Sequence, residues 1–343
     1  MFYKDLERLI DEKKQRWTKT SDQIWNYAET KFQETRSSEM LRSLLTQEGF
    51  AVETGVADLP TAFVASFGSG APVIAFLGEY DALSGLSQQD GIAEKIPLIE
   101  GGNGHGCGHH LLGVGSLAAA VATKEILKEN KLPGTVRYYG CPGEEGGSGK
   151  AFMARAGVFE DVDAALTWHP LTHNAIWSTR FLANYQVAFR FHGKSSHAAS
   201  APHVGRSALD AVELMNIGVN YLREHVVPDA RMHYAITNSG GASPNVVPSE
   251  AEVLYLLRAP ELAQIQDIYE RVCSIAHGAA LMTGTTHEVL FHYSCSNYIP
   301  NNALETIMYR HLQQVALPAL PENEQDLAQQ LHQTMTQEDL QHD

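Results

Sequence analysis

The first half of the chain alternates between helix-like and strand-like patterns of hydrophobic residues. Apolar positions recur at helical spacing over residues 3–48, which predicts two helices. Apolar runs at 61–68 and 72–83 predict strands, and the second run is continuous, as is typical of a strand covered on both faces. A Gln-, Asp- and Gly-rich loop over 84–106 then leads into a long Ala- and Leu-rich helix predicted for 109–129.

The next segments continue the alternation. Strands are predicted at 134–140 and 161–168, with a short helix between them at 148–157. Strands that alternate with helices favour an α/β domain built on a mostly parallel sheet.

The pattern changes near residue 184, where apolar and polar residues alternate as in an antiparallel strand with one solvated face. The following elements are predicted in the order helix 205–224, strand 231–238, strand 251–258, helix 261–282 and strand 287–293. This β-α-β-β-α-β order is that of the ferredoxin-like split unit. We therefore predict an inserted lid or dimerisation domain over 184–296 and a catalytic domain formed by 1–183 and 297–343.

Composition places the chain among globular proteins. Its 343 residues suggest two domains at roughly 150 residues per domain. Hydrophobic residues make up 44% and charged residues 19%, which excludes a disordered chain, a collagen-like repeat and a disulfide-rich miniprotein. The formal net charge of −15 disfavours binding to nucleic acid or to an anionic membrane surface.

Cysteine usage and the first residues bear on the compartment. Four scattered cysteines beside sixteen histidines favour a reducing compartment and metal chemistry over disulfides. The opening segment lacks the apolar core of a secretory signal, and the longest apolar stretch, 113–122, is shorter than a membrane span. We expect a cytoplasmic protein.

Residues suited to metal binding and acid–base chemistry follow three of the predicted strands. Cys107 and His109 lie two apart between glycines, Glu144 and Glu145 lie in a glycine-rich loop, and His169 follows a strand. Ligands of open α/β sheets bind outside the carboxyl ends of strands. Thiolate, imidazole and carboxylate groups bind divalent metals, and a second carboxylate can take the proton of a metal-activated water. The pattern predicts a metal-dependent hydrolase.

Simpler interpretations remain for each cluster. The histidines and glutamates could belong to a glycine turn and a solvated acidic loop. Cys107 could instead be a nucleophile with His109 as its base, although residues two apart on a glycine loop rarely align for that role. In the second domain, His197, Asn245 and Arg258 suit an oxyanion and a carboxylate ligand, or a satisfied loop and a surface ion pair.

Several motifs together resemble one family. The segments HGCGHH, GCPGEEGGSGKAFM, TWHP, SSHAASAPHVGRSALDA and GGASPNVVP are similar to the dinuclear metallo-amidohydrolases that include glutamate carboxypeptidase, the aminoacylases and the auxin-conjugate hydrolases. The likeness extends from the first residues to about residue 315, in motif order, spacing and domain plan. The resemblance implies a metallopeptidase-like catalytic domain with an inserted lid.

The resemblance also implies roles for the candidate residues. The implied metal ligands, for two zinc or manganese ions, are Cys107, His109, Glu145 and His169. Glu144 would be the general base, and Asp81 would orient a ligand. His197 would reach across a dimer to steady the developing oxyanion, while Asn245 and Arg258 would hold a substrate carboxylate. The implied partners are a small N-acyl amino acid substrate and a homologous subunit or second copy bound through the lid domain.

Two departures from the family pattern qualify these expectations. His110 stands where relatives often carry Asp. The family's catalytic domain continues beyond residue 343 to a last metal-ligand His, so we expect either a fragment or a shortened subunit with one ligand fewer. The sequence thus predicts an amidohydrolase. One alternative is a hydrolase that acts on a different N-acyl amino acid or on dipeptides. The other is an inactive subunit that only binds a ligand.

Overall fold

A computed structural model describes residues 2–178 and 180–342, which divide into two compact units. The first unit comprises residues 1–174 and 315–343, and the second comprises 175–314. The second unit extends beyond the predicted inserted domain at both ends, and its strands begin at Ala183 and end at Cys295.

The first unit is an α/β structure, which confirms the predicted class. Its helices are α1 (Tyr3–Asp11), α2 (Lys14–Tyr27), α3 (Thr35–Gln47), α4 (His109–Glu129), α5 (Glu144–Gly147), α6 (Gly149–Arg155), α10 (Glu322–Thr334) and α11 (Asp339–His342). Its strands are β1 (Ala51–Thr54), β2 (Phe63–Ser69), β3 (Val73–Gly78), β4 (Gly134–Gly140) and β5 (Ala164–Leu166). Three helices therefore precede β1 where two were predicted, because the charged segment 11–14 offers no apolar anchor and the helix is interrupted there.

The five strands are ordered β1-β2-β4-β3-β5. The neighbours β4, β3 and β5 are parallel, so their carboxyl ends meet at one edge of the sheet. The pairs β1–β2 and β2–β4 are antiparallel. The β1–β2 pair is antiparallel because only a short connection joins its strands, whereas a parallel pair needs a long crossover.

Helices cover both faces of this sheet. On one face, α2, α3 and α4 bury a core around Ile24, Leu41 and Leu117, and on the other face α6 contributes Met153. The helix α4 packs closely against the end of β3, since a Cβ added at Gly113 would lie 2.5 Å from the carbonyl oxygen of Glu79. This close packing brings the start of α4 to the carboxyl end of β3.

By length and composition α4 could also cross a membrane, although the sequence suggested no such span. Of its most apolar stretch, 67% is buried inside the protein, as in a core helix. It is the one helix in the described ranges that meets these criteria.

The second unit has the predicted β-α-β-β-α-β order. Its elements are β6 (Ala183–His192), α7 (Ala208–Leu222), β7 (Arg231–Asn238), β8 (Glu250–Ala259), α8 (Leu262–Thr283), β9 (Thr286–Cys295) and the further helix α9 (Asn302–Leu312). The sheet order is β7-β8-β6-β9 with every neighbouring pair antiparallel. Apolar residues of α7 and α8 form a single core with the sheet, including Val212, Val272 and Phe189.

Candidate metal centre

Three strand ends and the start of α4 bring the predicted residues of the first unit together. Glu79 and Asp81 follow β3, Glu144 and Glu145 follow β4, and His169 follows β5. Cys107 and His109 enter from the loop before α4, whose N-cap Gly108 has a left-handed φ of 77°. Since β3, β4 and β5 are parallel neighbours, their carboxyl ends deliver these side chains to one edge of the sheet.

His109 lies at the centre of the cluster and is fully buried. The ligand atoms of Cys107, His109 and His169 lie within 4.8 Å of one another, as do those of Glu79, His109 and Glu144. The His109 Nε2 atom is 3.9 Å from Glu144 Oε2 and 4.0 Å from Glu145 Oε1. The three other side chains that the sequence predicted as ligands, and the predicted base, therefore lie together around the imidazole of His109.

Hydrogen bonds orient both imidazoles toward the cluster. His109 Nδ1 lies 2.9 Å from Asp81 Oδ1, so an Nδ1–H donated to that carboxylate leaves the Nε2 lone pair facing inward. His169 Nδ1 lies 2.9 Å from the carbonyl oxygen of Pro170, while its Nε2 lies 3.4 Å from Cys107 Sγ. Carboxylate or carbonyl partners of this kind set the tautomer in which the other ring nitrogen binds a metal.

The chemistry of the donor set fits divalent metals. His109 Nε2, Glu79 Oε2 and Glu145 Oε1 are buried atoms without hydrogen-bond partners, and the first two lie 3.1 Å apart. The Nε2 lone pair of a neutral imidazole and the oxygens of an ionised carboxylate all accept hydrogen bonds, so they cannot bond to one another, and each can bind a divalent cation. The residues present therefore fit a metal centre.

Electrostatics also favour a bound cation. Burial and the neighbouring Glu145 carboxylate raise the pKa of Cys107 to about 12, so without a cation the sulfur stays a thiol near neutral pH. Burial lowers the pKa of His109, but the bond to Asp81 and the charge of Glu79 outweigh burial and raise it. An unactivated thiol argues against Cys107 as a nucleophile with His109 as its base.

Glu144 has the properties of a proton acceptor. Its side chain is partly exposed, whereas the neighbouring His109 is buried. Burial and the charge of Glu79 raise the pKa of Glu144. A carboxylate whose pKa is raised toward the working pH is better matched to proton transfer.

Glu79 is a member of this cluster that the sequence reasoning missed. Its carboxylate accepts a hydrogen bond from Lys150 and faces His109. Glu79 lies two residues before Asp81, which was predicted, in the same strand-end segment. The alternation of side chains along extended backbone places residues i and i+2 on one face. The spacing of two between Glu79 and Asp81 could therefore have identified Glu79 from the sequence.

His110 is buried beside the cluster and belongs to neither of the two groups that could hold a metal ion. Its ring lies edge-on to Trp25, with centroids 5.0 Å apart, and 4.9 Å from the ring of His105. Burial lowers the pKa of His110 to about 4.

In the second unit, His197 and Asn245 lie on adjacent loops. The Ala198 N–H donates to the carbonyl oxygen of Asn245 at 2.9 Å. His197 Nδ1 accepts hydrogen bonds from the backbone N–H groups of Ala199 and Ser200, each at 3.2 Å. A neutral His197 in this arrangement carries its proton on Nε2, where it can be donated to an oxygen.

Arg258 lies at the other end of the same sheet. It pairs with Asn184 at the beginning of β6, whereas His197 follows the end of β6. The eight residue-to-residue steps from Glu250 to Arg258 span about 27 Å at ~3.4 Å per residue. The structure thus brings His197 and Asn245 together and does not bring Arg258 to them.

Comparisons with known proteins find close relatives. Residues 75–338 match peptidase family M20/M25/M40. The chain is 55% identical over 339 residues to the B subunit of p-aminobenzoyl-glutamate hydrolase from Escherichia coli, covering 99% of this chain and 70% of that protein. It is 34% identical over 308 residues to the Xaa-Arg dipeptidase of Mus musculus, covering 86% and 67% respectively.

A solved structure shares the fold. The aminobenzoyl-glutamate utilization protein from Klebsiella pneumoniae superimposes with a TM-score of 0.70 at 19% identity. The match covers 96% of this chain and 90% of that one. At this identity the likeness shows the fold alone.

Proposed function

Because this chain belongs to peptidase family M20/M25/M40, we propose that it hydrolyses p-aminobenzoyl-glutamate to p-aminobenzoate and glutamate. The observation that carries the proposal is the 55% identity, over 99% of the chain, to a component of the hydrolase of that name. The cluster of amidohydrolase-type side chains around His109 supports the same reaction class.

Two zinc or manganese ions are the proposed cofactors, held by Cys107, His109, Glu145 and His169. The three buried acceptor atoms without partners at this cluster support that assignment. A bound divalent ion would supply a Lewis acid that lowers the pKa of a water molecule and polarises the amide carbonyl. Asp81 keeps His109 in the tautomer whose Nε2 can bind the ion.

Glu144 is the proposed general base. Its carboxylate takes the proton from the attacking water and later delivers it to the nitrogen of the leaving p-aminobenzoate. Its position beside His109 and its raised pKa support this role.

His197, Asn245 and Arg258 complete the proposal as residues of the second unit. His197 donates its Nε2–H to the carbonyl oxygen as negative charge develops there, and the two bonds accepted at Nδ1 support that tautomer. Asn245 and Arg258 bind carboxylate oxygens of the glutamate moiety. The separation of about 27 Å along β8 means that one chain's Arg258 and Asn245 cannot bind the same carboxylate.

A second chain could supply to the same site a residue that the first chain holds too far away. We include in the proposal a dimer through the second unit, formed with a homologous A subunit or with another copy, in which one chain supplies His197 to the other's metal cluster. The E. coli relative is by its name one of several subunits, which supports a paired assembly for this chain. The proposed location is the cytoplasm, where reduced cysteines persist, and Cys107, Cys141 and Cys273 form no disulfide.

The substrate assignment is tested by comparing amides. Protein reconstituted with zinc or manganese is expected to release p-aminobenzoate and glutamate in equal amounts from p-aminobenzoyl-glutamate, and chelator-treated protein is expected to release neither. The panel includes other N-acyl amino acids and an Xaa-Arg dipeptide, which the 34% identical dipeptidase makes the second candidate. A higher kcat/KM for the dipeptide than for p-aminobenzoyl-glutamate would overturn the substrate assignment. No turnover of any amide would favour a subunit that only binds a ligand.

The shared-site arrangement predicts complementation between inactive variants. His197→Ala and Glu144→Gln chains, each inactive alone, are expected to regain about a quarter of wild-type activity when co-expressed in equal amounts. Random pairing makes about half the dimers mixed, and each mixed dimer holds one intact site of two. No recovery in dimers shown to be mixed would contradict a His197 contributed by the second chain.

A further inference from the structure

Glu34 is a fully buried acid that the proposed chemistry does not use. It lies between α2 and α3, with no exposed surface. Its Oε1 accepts a hydrogen bond from the backbone N–H of Gly143 at 2.8 Å. Its Oε2 accepts one from the hydroxyl of Thr61 at 3.0 Å. A buried carboxylate is costly unless its oxygens are bonded, so both contacts hold it in one place.

The partner of Glu34 is the residue directly before the proposed base. Gly143 donates to Glu34, and Glu145, directly after the base, donates its backbone N–H to Asp81 Oδ2 at 2.8 Å. The Pro142–Gly143 peptide, one residue before Glu144, and the Glu144–Glu145 peptide are therefore each fixed by a buried carboxylate. Anchors on both sides restrict where the Glu144 side chain can point.

The loop that carries Glu144 needs such external anchors. Gly143, Gly146 and Ser148 all have left-handed φ values, of 63°, 72° and 57°. Glu145 also departs from helical geometry, with ψ of 80°, so the segment is an irregular turn and not a regular helix. A turn of this kind persists where surrounding structure over-determines it.

Neighbours of Glu34 hold the same loop. The Phe32 ring packs so closely on it that a Cβ added at Gly143 or Gly147 would lie within 2.8 Å of a ring carbon. Lys31 Nζ donates to the carbonyl oxygen of Gly146 at 3.2 Å. The segment 31–34 thus contacts the loop through three side chains, and of these Glu34 makes the hydrogen bond to Gly143, directly before the base.

From this geometry we propose that Glu34 is a positioning residue for amide hydrolysis, which holds the Gly143 peptide and thereby aims the Glu144 carboxylate. The inference rests on the proposed function, because it takes Glu144 as the base. It adds to that function a residue that lies 109 positions from the loop it fixes.

Glu48 provides a matched control for the loss of a buried acid. Its side chain is 6% exposed and bonded to Lys13, Arg16 and Lys124, none of which belongs to the metal cluster. Replacing Glu48 with Ala removes a buried, partnered carboxylate of the same unit. Any loss of activity that comes only from weakened folding should therefore appear in both Glu48→Ala and Glu34→Ala.

Gln at position 34 tests whether the bonds matter more than the charge. Its carbonyl oxygen can accept from Gly143 while its amide donates to Thr61 Oγ1, which can accept as well as donate. Burial raises the pKa of Glu34 to about 7, so a neutral side chain is compatible with this site near neutral pH.

The experiment measures kcat, KM, metal content and amide hydrogen exchange in metal-loaded protein. Glu34→Ala is expected to lower kcat by about 10- to 100-fold, since small misplacements of a reacting group cost rates of that order. KM should change by less than about twofold, as expected where transition-state and not ground-state interactions are lost. Metal content should match wild type, and exchange should accelerate at residues 143–145. Glu34→Gln should restore most of kcat, and Glu48→Ala should leave kcat and loop exchange unchanged.

Several results would overturn the inference. These are an unchanged kcat in folded Glu34→Ala, equal losses in Glu34→Ala and Glu48→Ala, or no rescue by Gln. If Glu34→Ala does not fold, Glu34→Asp replaces it. Asp keeps the carboxylate on a side chain one methylene too short for both bonds. A wild-type kcat in Glu34→Asp would overturn the inference. If wild type does not cleave p-aminobenzoyl-glutamate, the proposed function fails. Amide hydrogen exchange then still tests whether Glu34 positions the loop. Faster exchange at 143–145 in the Glu34 variants alone supports positioning, and unchanged exchange contradicts it.

Discussion

Replacing Glu144 with Gln is expected to lower kcat for p-aminobenzoyl-glutamate by about 10²- to 10⁴-fold, the range that general acid–base catalysis contributes. Gln has the same shape and cannot accept the proton of the attacking water. Glu144 Oε2 lies 3.9 Å from His109 Nε2, close enough to act at the cluster. The proposed ligands Cys107, His109, Glu145 and His169 are unaltered, so metal content should equal that of wild type.

The measurement is steady-state turnover together with metal content on the same preparation. Glu125→Gln is the matched control, because Glu125 is a carboxylate of the same unit that pairs with Lys124 on α4. It should keep wild-type kcat. A Glu144→Gln protein that retained wild-type kcat would exclude Glu144 as the base, and one that lost its metal would make Glu144 a ligand instead.

Replacing His109 with Ala is expected to lower the affinity for divalent metal by more than about 100-fold, beyond the range seen when an outer-shell partner is removed. His109 Nε2 belongs to both groups of potential ligands, so its loss removes a donor common to the whole cluster. Activity should fall with the metal. Asp81 would also lose its imidazole partner, which currently lowers the pKa of Asp81 against the opposing effect of burial.

His110→Ala is the control for this prediction. His110 is the next residue of α4 and is also buried, but its ring contacts Trp25 and His105 and not the cluster. Titration with zinc or manganese in a competing chelator should give wild-type affinity for His110→Ala. Equal affinities for His109→Ala and wild type would contradict the proposed metal centre.

Much of the fold was predictable because strong apolar patterns determine it. The helix over 109–129 and the strand over 134–140 have the predicted bounds, since each is a long run with clear glycine or polar limits. The short strand β1 was missed because its four residues are mostly exposed and carry no apolar run. The helix α10 was missed for a related reason, because its sequence is polar and none of its residues is buried.

The clustering of the candidate metal ligands was predictable because parallel strands place their carboxyl ends together. Cys107, Glu145 and His169 could be assigned to one site from their positions after predicted elements. The antiparallel sheet of the second unit follows the opposite rule, since neighbouring strands end at opposite edges. That is why Arg258, at the end of β8, is remote from His197, beyond the end of β6.

Residues that support the site from a distance could not be found in this way. Glu34 lies between two helices and contacts Gly143 only after the chain has folded. Local sequence around Glu34 contains neither a strand end nor a ligand spacing. Its environment depends on how α2 and α3 pack against the sheet, which periodicity does not specify.

The most direct test of the proposed metal centre is the metal content per chain of the wild-type protein, purified without chelator and reconstituted with zinc or manganese. We expect close to two divalent ions per chain, bound by the cluster around His109 and released by a chelator together with amide hydrolysis. A protein that stays folded and binds no divalent ion would contradict the central claim that this cluster is a metal centre.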